Sequence, residues 1–239
     1  MSYQLKFETG SIADKISGLT EIEALSFLAN AFEERIVFNS SFGWEDQVIT
    51  HLILSNNIGV EIFTIDSGRL FDETYKVWNS TNKQYNANIK AYYPLQENVE
   101  DYVSNNGPNA FYESKELRNQ CCFIRKTEPL QRALAGNTIL VTALRKEHLP
   151  EGREIVPVEW DELNQVIVYH PLLYWTTDEV KNFIYRHNIP YHPLHNKGFV
   201  RIGCAPCTRA IKPGEDVRSA NWWWETKKAR EYSLSTASF

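Results

Sequence analysis

The four cysteines of this 239-residue chain are the residues whose type and spacing most directly predict chemistry. Cys121 and Cys122 are adjacent, and Cys204 and Cys207 form a CxxC pair. Adjacent cysteine side chains diverge and rarely bind one zinc ion well, whereas a cubane cluster spreads its iron atoms apart and accepts such a pair. Four thiolates are suitable ligands for a [4Fe–4S] or a [2Fe–2S] cluster, and zinc is the competing metal. Buried unligated cysteines or a redox-active CxxC pair are the alternatives without a metal.

Two cations directly follow the first cysteine pair. Arg125 and Lys126 would stabilise a cluster with four thiolates, because such a cluster carries net negative charge. They would equally suit an anionic substrate. The alternative is that both are ordinary solvated cations on a helix.

The composition is that of a globular protein rather than of a disordered chain, with 43% hydrophobic and 23% charged residues. A net charge of −5 gives no sign of a nucleic-acid surface, so an anionic substrate would need a local basic pocket. The sequence has no apolar run long enough to predict a membrane span, and its N-terminal residues do not resemble a secretory signal. We therefore expect a cytoplasmic protein with reduced thiols, which favours metal ligands over disulfides.

Short β-rich runs alternate with helical stretches along the chain, which predicts an α/β fold with a parallel sheet and helices on both faces. The predicted strands are Arg35–Asn39, Glu61–Ile65, Ile89–Tyr92, Thr138–Thr142 and Gln165–Tyr169. Residues 11–34 are predicted to be helical, because Leu19, Ile22, Leu25, Leu28 and Phe32 recur at three- or four-residue spacing, and Thr177 is predicted to cap a later helix. No linker divides the chain, and no strand is predicted after Pro193.

Three of the turns follow predicted strands. They are Ser40–Glu45, Asp66–Gly68 and Thr142–Arg145. Ligands bind beyond the carboxyl ends of the strands in parallel sheets, so we expect these turns to converge on one pocket. Backbone donors in the first turn, next to a helix N-terminus, suit an anion.

Further motifs accompany the cysteines. Ser40–Gln47 reads SSFGWEDQ, Ile65–Leu70 reads IDSGRL, Cys121–Lys126 reads CCFIRK, and Ile202–Ala210 reads IGCAPCTRA. Together with the segments Glu128–Leu130, Pro193–His195, Gly214–Asp216 and Trp222–Glu225, they resemble the iron–sulfur adenylyl-sulfate (APS) reductases of assimilatory sulfate reduction. The resemblance extends from about residue 35 to the C-terminus. The CC…CxxC set within these flanks is its specific part, whereas the serine–glycine turn alone is a weak signal.

The resemblance implies a single APS/PAPS reductase-like domain over residues 1–239, with a C-terminal tail at 222–239. It implies an adenine-nucleotide α-hydrolase-like (Rossmann-like) fold and one [4Fe–4S] cluster on Cys121, Cys122, Cys204 and Cys207. The implied activity is reduction of APS, in preference to its 3′-phosphorylated relative, to sulfite and AMP with thioredoxin as reductant. The implied role is that of an oxidoreductase in sulfate assimilation and cysteine biosynthesis. The resemblance also suggests a homo-oligomer, and we expect no nucleic-acid or membrane partner.

The resemblance also assigns substrate-binding roles. Ser40 and Ser41 would lie near the phosphosulfate, and Lys126 would lie between cluster and substrate. The segment that borders the adenosine would be Asp66, Ser67, Gly68 and Arg69. Arg145 and Arg218 would bind the anionic end, and the alternative for both is an ordinary surface arginine.

The chain departs from the family at the catalytic end. The family's nucleophilic cysteine belongs to a KECGLH motif, which aligns with Arg230–Ser235 (REYSLS) and leaves Tyr232 at the cysteine position. A phenol with an ordinary pKa of about 10 is a poor replacement, and a sulfated tyrosine cannot be released by thiol exchange. No cysteine remains beyond the four assigned to the cluster. Asn221 also replaces an arginine that usually precedes the three tryptophans.

Three functions are compatible with these residues. The first is reduction of APS with a thiol supplied from outside the chain. The second is a diverged paralogue, lacking the catalytic cysteine, that does other sulfur or nucleotide chemistry. The third is a non-catalytic nucleotide-binding protein. Under each of them we expect His195 to order the loop before the CxxC pair or to be plainly structural, and Trp222–Trp224 to pack rather than to stack on a base.

Overall fold

A computed structural model describes residues 2–33, 35–149 and 154–225 of the chain. The chain divides into two compact units. Unit 1 comprises Met1–Thr64, Lys76–Lys90 and Leu134–His192, and unit 2 comprises Ile65–Tyr75, Ala91–Ala133 and Pro193–Phe239. The single functional domain expected from the sequence stays a prediction. No helix within the described ranges combines the length and the apolar character that crossing a membrane requires.

A six-stranded sheet has the strand order β3-β2-β1-β4-β6-β5. The strands are β1 (Ile36–Asn39), β2 (Glu61–Ile65), β3 (Lys90–Tyr92), β4 (Ile139–Val141), β5 (Val158–Asp161) and β6 (Val166–Tyr169). β1 pairs in parallel with β2 and β4, and β4 pairs in parallel with β6. The predicted α/β fold with a parallel sheet is therefore confirmed.

The sequence did not predict the edge strand β5, which runs antiparallel to β6. A tight turn joins the two strands, because the Asp161 carboxylate accepts hydrogen bonds from the backbone N–H groups of Leu163 and Asn164 at 2.9 and 3.1 Å. Gln165 closes the turn with a positive φ of 56°. An antiparallel neighbour needs only such a turn, whereas a parallel one needs a crossover.

Eight α-helices alternate with or follow these strands in the described parts of the chain. They are α1 (Ser2–Ile16), α2 (Glu21–Ala31), α3 (Trp44–Ser55), α4 (Asp72–Tyr85), α5 (Gln96–Asn106), α6 (Lys115–Cys122), α7 (Glu128–Leu134) and α8 (Thr177–Arg186). A π-helical segment, Phe123–Thr127, joins α6 to α7. Downstream of Pro193 the described residues form short 3-10 turns and one isolated bridge, in agreement with the prediction of no strands there.

The helical prediction over residues 11–34 is confirmed for most of its length but misses a break, because α1 ends at Ile16 and α2 begins at Glu21. Thr20 caps α2 in a capping box with Glu23, whose carboxylate accepts the Thr20 N–H at 2.8 Å. Of the apolar residues at helical spacing, Leu25 and Leu28 are fully buried, whereas Leu19 and Ile22 are 41% and 37% exposed. The predicted cap of α8 is also wrong by one residue, since Thr176 is the N-cap and Thr177 is the first helical residue.

Each unit has its own apolar core. In unit 1 the buried core includes Ile36 and Phe38 of β1, Ile139 of β4 and Val48 of α3, all 0% exposed. Strands buried on both faces are read from sequence as continuous apolar runs, which explains why they were predicted well. In unit 2 the core is smaller, and it contains Cys121 beside Tyr102, Ala110, Phe111 and Ile124. The thiol region is therefore continuous with the core of unit 2.

Candidate functional site

The four cysteines of the chain line one pocket in unit 2. Cys121 and Cys122 are the last residues of α6, where the helix changes to the π-helical segment Phe123–Thr127. π-Helical turns occur frequently at functional sites. The pocket is lined by Arg69, Phe111, Arg118, Cys121, Cys122, Arg125, Lys126, Cys204, Pro206 and Cys207.

The CxxC pair is held by the segment that contains Ser67 and Arg69. Cys204 precedes the 3-10 turn Ala205–Cys207, and the Ala205 N–H donates to the Arg69 carbonyl at 2.8 Å. The hydroxyl of Ser67 lies 3.1 Å from the sulfur of Cys204. These contacts fix one cysteine of the pair relative to the sequence motif that precedes α4.

Burial, followed by repulsion between neighbouring thiolates, raises the pKa of Cys121 and Cys207. Burial also raises the pKa of Cys122, although the charge of Lys126 partly opposes this rise. The thiolates, with Cys204 the strongest contributor, raise the pKa of Lys126 although its partial burial opposes this rise. A metal centre in this pocket would displace thiol protons and would replace them as the partner of the sulfur atoms.

Three arginines and one lysine surround the thiols, and the arginines are engaged by the protein. Arg118 is 2% exposed, forms an ion pair with Glu225 and lies 4.4 Å from the ring centroid of Trp222. Arg125 donates to the carbonyl of Ser67 at 2.6 Å. In contrast, Lys126 makes no hydrogen bond or salt bridge with a residue in the described ranges. Its charge interacts chiefly with the sulfur of Cys204.

Within the described part of the chain, no three His, Cys, Asp or Glu side chains are arranged to hold one metal ion. Zinc bound to thiolates at about 2.3 Å requires its ligands to converge tightly. The pocket has all four thiols in its lining.

A second polar site lies in unit 1 at the carboxyl edge of the sheet. The strand order reverses between β1 and β4, since β1 continues to β2 on one side and β4 leads to β6 on the other. Such a switch point is where open parallel sheets bind nucleotides. The loops Ser40–Gly43 and Thr142–Arg145 follow these two strands, and Arg145 forms an ion pair of 2.8 Å with Glu45 in the first turn of α3.

The loop after β1, Ser40–Gly43, is held by hydrogen bonds to the Asp46 carboxylate. One oxygen of the Asp46 carboxylate accepts from the Ser41 hydroxyl at 2.8 Å and from the Gly43 N–H at 2.9 Å. Burial raises the pKa of Asp46 from its ordinary value of 3.8 to about 6, against the effect of these hydrogen bonds. Phe42 has a positive φ of 61°, and its N–H donates to the Ser40 hydroxyl. The helix N-terminus of α3 therefore already holds an internal carboxylate.

Arg145 is a buried residue with 2% exposure, so the alternative of an ordinary surface arginine is wrong. All five of its N–H groups have protein acceptors. These are Glu45, Glu147, His148, Thr177 and the carbonyl of Trp175. The role of Arg145 as an anion ligand stays a prediction, and it requires a bound anion to replace one of these acceptors.

Residues 35–210 match the model of the phosphoadenosine phosphosulfate reductase domain. The chain belongs to this family. The "Adenosine 5'-phosphosulfate reductase" of Allochromatium vinosum is 44% identical over 91% of this chain and 85% of that protein. The protein of the same name from Sinorhizobium fredii is 41% identical over 98% of this chain and 92% of that protein.

Solved structures support the same fold. The phosphoadenylyl-sulfate (PAPS) reductase from Candida auris, solved as a phosphate complex, has a TM-score of 0.71 at 25% identity. That match covers 84% of this chain and 96% of the Candida chain. The yeast FAD synthetase solved with FAD has a TM-score of 0.54 at 16% identity, covering 87% and 75% of the two chains. The second match concerns the fold alone, and it agrees with the predicted adenine-nucleotide α-hydrolase-like class.

The segment predicted to border the adenosine lies in unit 2 and is ordered by Asp66. Its carboxylate accepts from the Gly68 N–H at 2.8 Å and from the Tyr75 hydroxyl at 2.9 Å. Burial, with Asp66 as the next cause, raises the pKa of Tyr75 to about 12. Gly68 has a φ of +70°, a conformation that favours glycine at this turn. The contacts of this segment with a nucleotide stay a prediction.

The remaining predicted residues lie toward the C-terminus. Arg218, in the 3-10 turn Val217–Ala220, forms an ion pair with Asp216 at 2.6 Å. Asn221 donates to the Thr208 hydroxyl at 3.3 Å. The segment 230–235 with Tyr232, and the tail beyond Glu225, lie outside the described residues. Trp224 packs against the core of unit 2, whereas Trp223 is 49% exposed.

Sequence reasoning missed several residues around the thiol pocket. The hydroxyl of Tyr112 donates to the Pro206 carbonyl within the CxxC turn at 2.7 Å. Arg118 was also missed, although its position four residues before Cys122 on a helix places the two on one face. Neither Tyr112 nor Glu225 is near a cysteine in sequence, so only the fold reveals them.

Proposed function

We propose that this chain binds a [4Fe–4S] cluster and reduces APS to sulfite and AMP with a thiol supplied from outside the chain. The observation that carries the proposal is that all four cysteines line one pocket in a chain of the phosphoadenosine phosphosulfate reductase family. The names of the 40–44% identical relatives support APS as the substrate.

The donor set fits a cluster better than a single zinc ion. Four cysteines line one pocket, and two of them, Cys121 and Cys122, are adjacent in sequence, an arrangement that rarely suits one zinc ion. A cluster binds each thiolate at a different iron atom, and cations beside it offset its negative charge. Cys121, Cys122, Cys204 and Cys207 would hold it, with Arg118, Arg125 and Lys126 around them. When bound with four protein ligands, it would supply a fixed negative charge and no open iron for sulfur donation.

The reductive chemistry then depends on two thiols. A thiolate attacks the sulfate sulfur of APS, a sulfur–sulfur bond forms, and the sulfur–oxygen bond to AMP breaks with AMP as the leaving group. A second thiolate attacks the first thiol sulfur, so that sulfite leaves and a disulfide forms. The two thiols are oxidised to the disulfide, and the sulfur of the sulfate group is reduced by the same two electrons. A dithiol protein of the thioredoxin class supplies both thiols.

The external source of thiol follows from the chain's own cysteines. The sequence has four cysteines, and each of them lies in the pocket. Tyr232 stands where the family resemblance places the nucleophile. Lys126, whose ammonium has no carboxylate partner in the part of the chain that the structure describes, is the cation that we assign to the sulfate end of the substrate.

The test is release of sulfite from APS by anaerobically purified protein, with no thiol, with a small dithiol and with thioredoxin. The proposal predicts sulfite only when thiol is added, in amounts that match the AMP released. The Tyr232→Cys variant is the matched comparison, and the proposal predicts that it forms a covalent sulfonate without added thiol. If the native chain binds AMP but never releases sulfite, the chain is a diverged paralogue or a non-catalytic nucleotide-binding protein rather than a reductase.

A further inference from the structure

Three side chains in unit 1, Thr142, His170 and Glu159, form a hydrogen-bond network that has no role in the chemistry proposed above. The Thr142 hydroxyl lies 2.6 Å from Nδ1 of His170, and Nε2 of His170 lies 3.2 Å from a carboxylate oxygen of Glu159. His170 is 2% exposed, while Thr142 is half-buried. A buried ring with both nitrogen atoms engaged has one fixed orientation.

For a neutral His170 ring, the two partners fix the direction of these hydrogen bonds. An ionised carboxylate only accepts, so Nε2 must carry the hydrogen that points to Glu159. In the neutral ring Nδ1 is then an acceptor, and it takes the hydrogen of the Thr142 hydroxyl. The Thr142 oxygen has no second hydrogen to donate and can only accept from any other group.

Thr142 also has a defined place in the fold. It directly follows β4, and its N–H donates to the Tyr169 carbonyl at the end of β6 at 2.9 Å. It therefore stands at the carboxyl edge of the sheet, at the switch point between β1 and β4. The Thr142 hydroxyl oxygen accepts one long hydrogen bond, from the Leu144 N–H at 3.4 Å. Its second lone pair accepts none of the hydrogen bonds described above.

We propose that Glu159 and His170 lock Thr142 as a hydrogen-bond acceptor for a donor group of the bound nucleotide. The donor is an N–H or O–H group, which an adenine nucleotide provides at its exocyclic amine and at its ribose hydroxyls. Thr142 is the specificity-determining residue, and His170 and Glu159 are positioning residues that act through it. This inference rests on the proposed nucleotide-binding function and adds the residue that selects the ligand.

The experiment is equilibrium binding of AMP to the full chain and its variants. Thr142→Val keeps the side-chain shape and removes the hydroxyl, and one lost hydrogen bond predicts about three- to tenfold weaker binding. Thr142→Ser is the matched control and keeps the affinity. His170→Ala weakens binding by a similar factor, and His170→Asn restores it, because its amide oxygen can take the place of Nδ1. The double variant Thr142→Val/His170→Ala binds no more weakly than Thr142→Val alone.

Modified nucleotides identify the donor. If the donor is the exocyclic amine, the native chain prefers AMP to IMP, and Thr142→Val loses this preference. If the donor is a ribose hydroxyl, the matching deoxyadenosine monophosphate binds the native chain and Thr142→Val equally. The thermal unfolding transition of each variant verifies that it is folded, and Thr142→Val and His170→Asn carry the test if His170→Ala does not fold.

Two results overturn the inference alone: Thr142→Val binds AMP as tightly as the native chain, or His170→Ala still weakens binding in the Thr142→Val background. A native chain that is folded and binds no AMP is a different result. It refutes the proposed nucleotide function, and this inference with it.

Discussion

Asp46 is a carboxylate that the fold buries at the start of α3, and replacing it with asparagine tests the electrostatics of that loop. Its pKa rises from the ordinary 3.8 to about 6, chiefly because burial penalises the charged form. At about 1.4 kcal/mol for each pKa unit, ionised Asp46 costs the folded state about 3 kcal/mol. The Ser41 and Gly43 hydrogen bonds share one oxygen, so the asparagine carbonyl can keep both.

The sign of the pH dependence follows from the direction of the shift. Because the folded pKa exceeds the unfolded pKa, ionisation of Asp46 lowers the stability of the native chain relative to Asp46→Asn as the pH rises from about 4 through 6. The assay is the free energy of unfolding in urea at several pH values for both chains. The difference between them grows by about 3 kcal/mol in favour of the variant as the carboxylate ionises. Asp178→Asn, the same change on the exposed surface of α8, is the control.

Parallel pH curves for the native chain and Asp46→Asn would refute this reasoning. They would mean that the hydrogen bonds from Ser41 and Gly43 stabilise the ionised carboxylate as much as burial destabilises it. A variant that loses stability at every pH would mean that the second carboxylate oxygen, rather than the charge, matters to the loop.

Other side chains make further predictions. Glu225→Ala leaves the buried Arg118 without its carboxylate partner and should lower the free energy of unfolding in urea by about 3–5 kcal/mol. The double variant Glu225→Ala/Arg118→Met should recover part of this loss in the same measurement. Ser67→Ala removes the hydroxyl that lies 3.1 Å from the Cys204 sulfur. A chelator should therefore remove iron from this variant severalfold faster than from the native protein, and equal rates would contradict the prediction. Thr20→Ala removes the capping box of α2 and should cost about 1 kcal/mol, while Thr20→Ser should cost much less in the same thermal unfolding assay.

Much of the sheet could be predicted because its central strands are short apolar runs. Ile36–Asn39 and Glu61–Ile65 stand out in sequence, since burial on both faces leaves few polar positions. β5 (Val158–Asp161) could not be predicted in the same way. It is an edge strand with polar residues, and it exists because a turn returns the chain beside β6. The break between α1 and α2 was readable from Thr20 and Glu23, but the helical spacing of apolar residues around it obscured the capping box.

Part of the candidate site could likewise be predicted from the sequence, and part depends on the fold. The cysteines were predicted from type and spacing, and the structure brings all four to one pocket. The burial of Arg145 and its five acceptors depends on residues up to 100 positions away, which a sequence pattern does not contain. The contact between Thr142 and His170 joins the ends of two strands and likewise appears only once the sheet is formed.

The most direct test of the account is the iron and acid-labile sulfide content of the chain purified without oxygen. One [4Fe–4S] cluster bound by Cys121, Cys122, Cys204 and Cys207 predicts four iron and four sulfide per chain, with charge-transfer absorption that is lost in Cys204→Ala. Zinc in stoichiometric amount and no sulfide, or a Cys204→Ala variant with undiminished iron, would contradict the assignment of the pocket on which the proposed function rests.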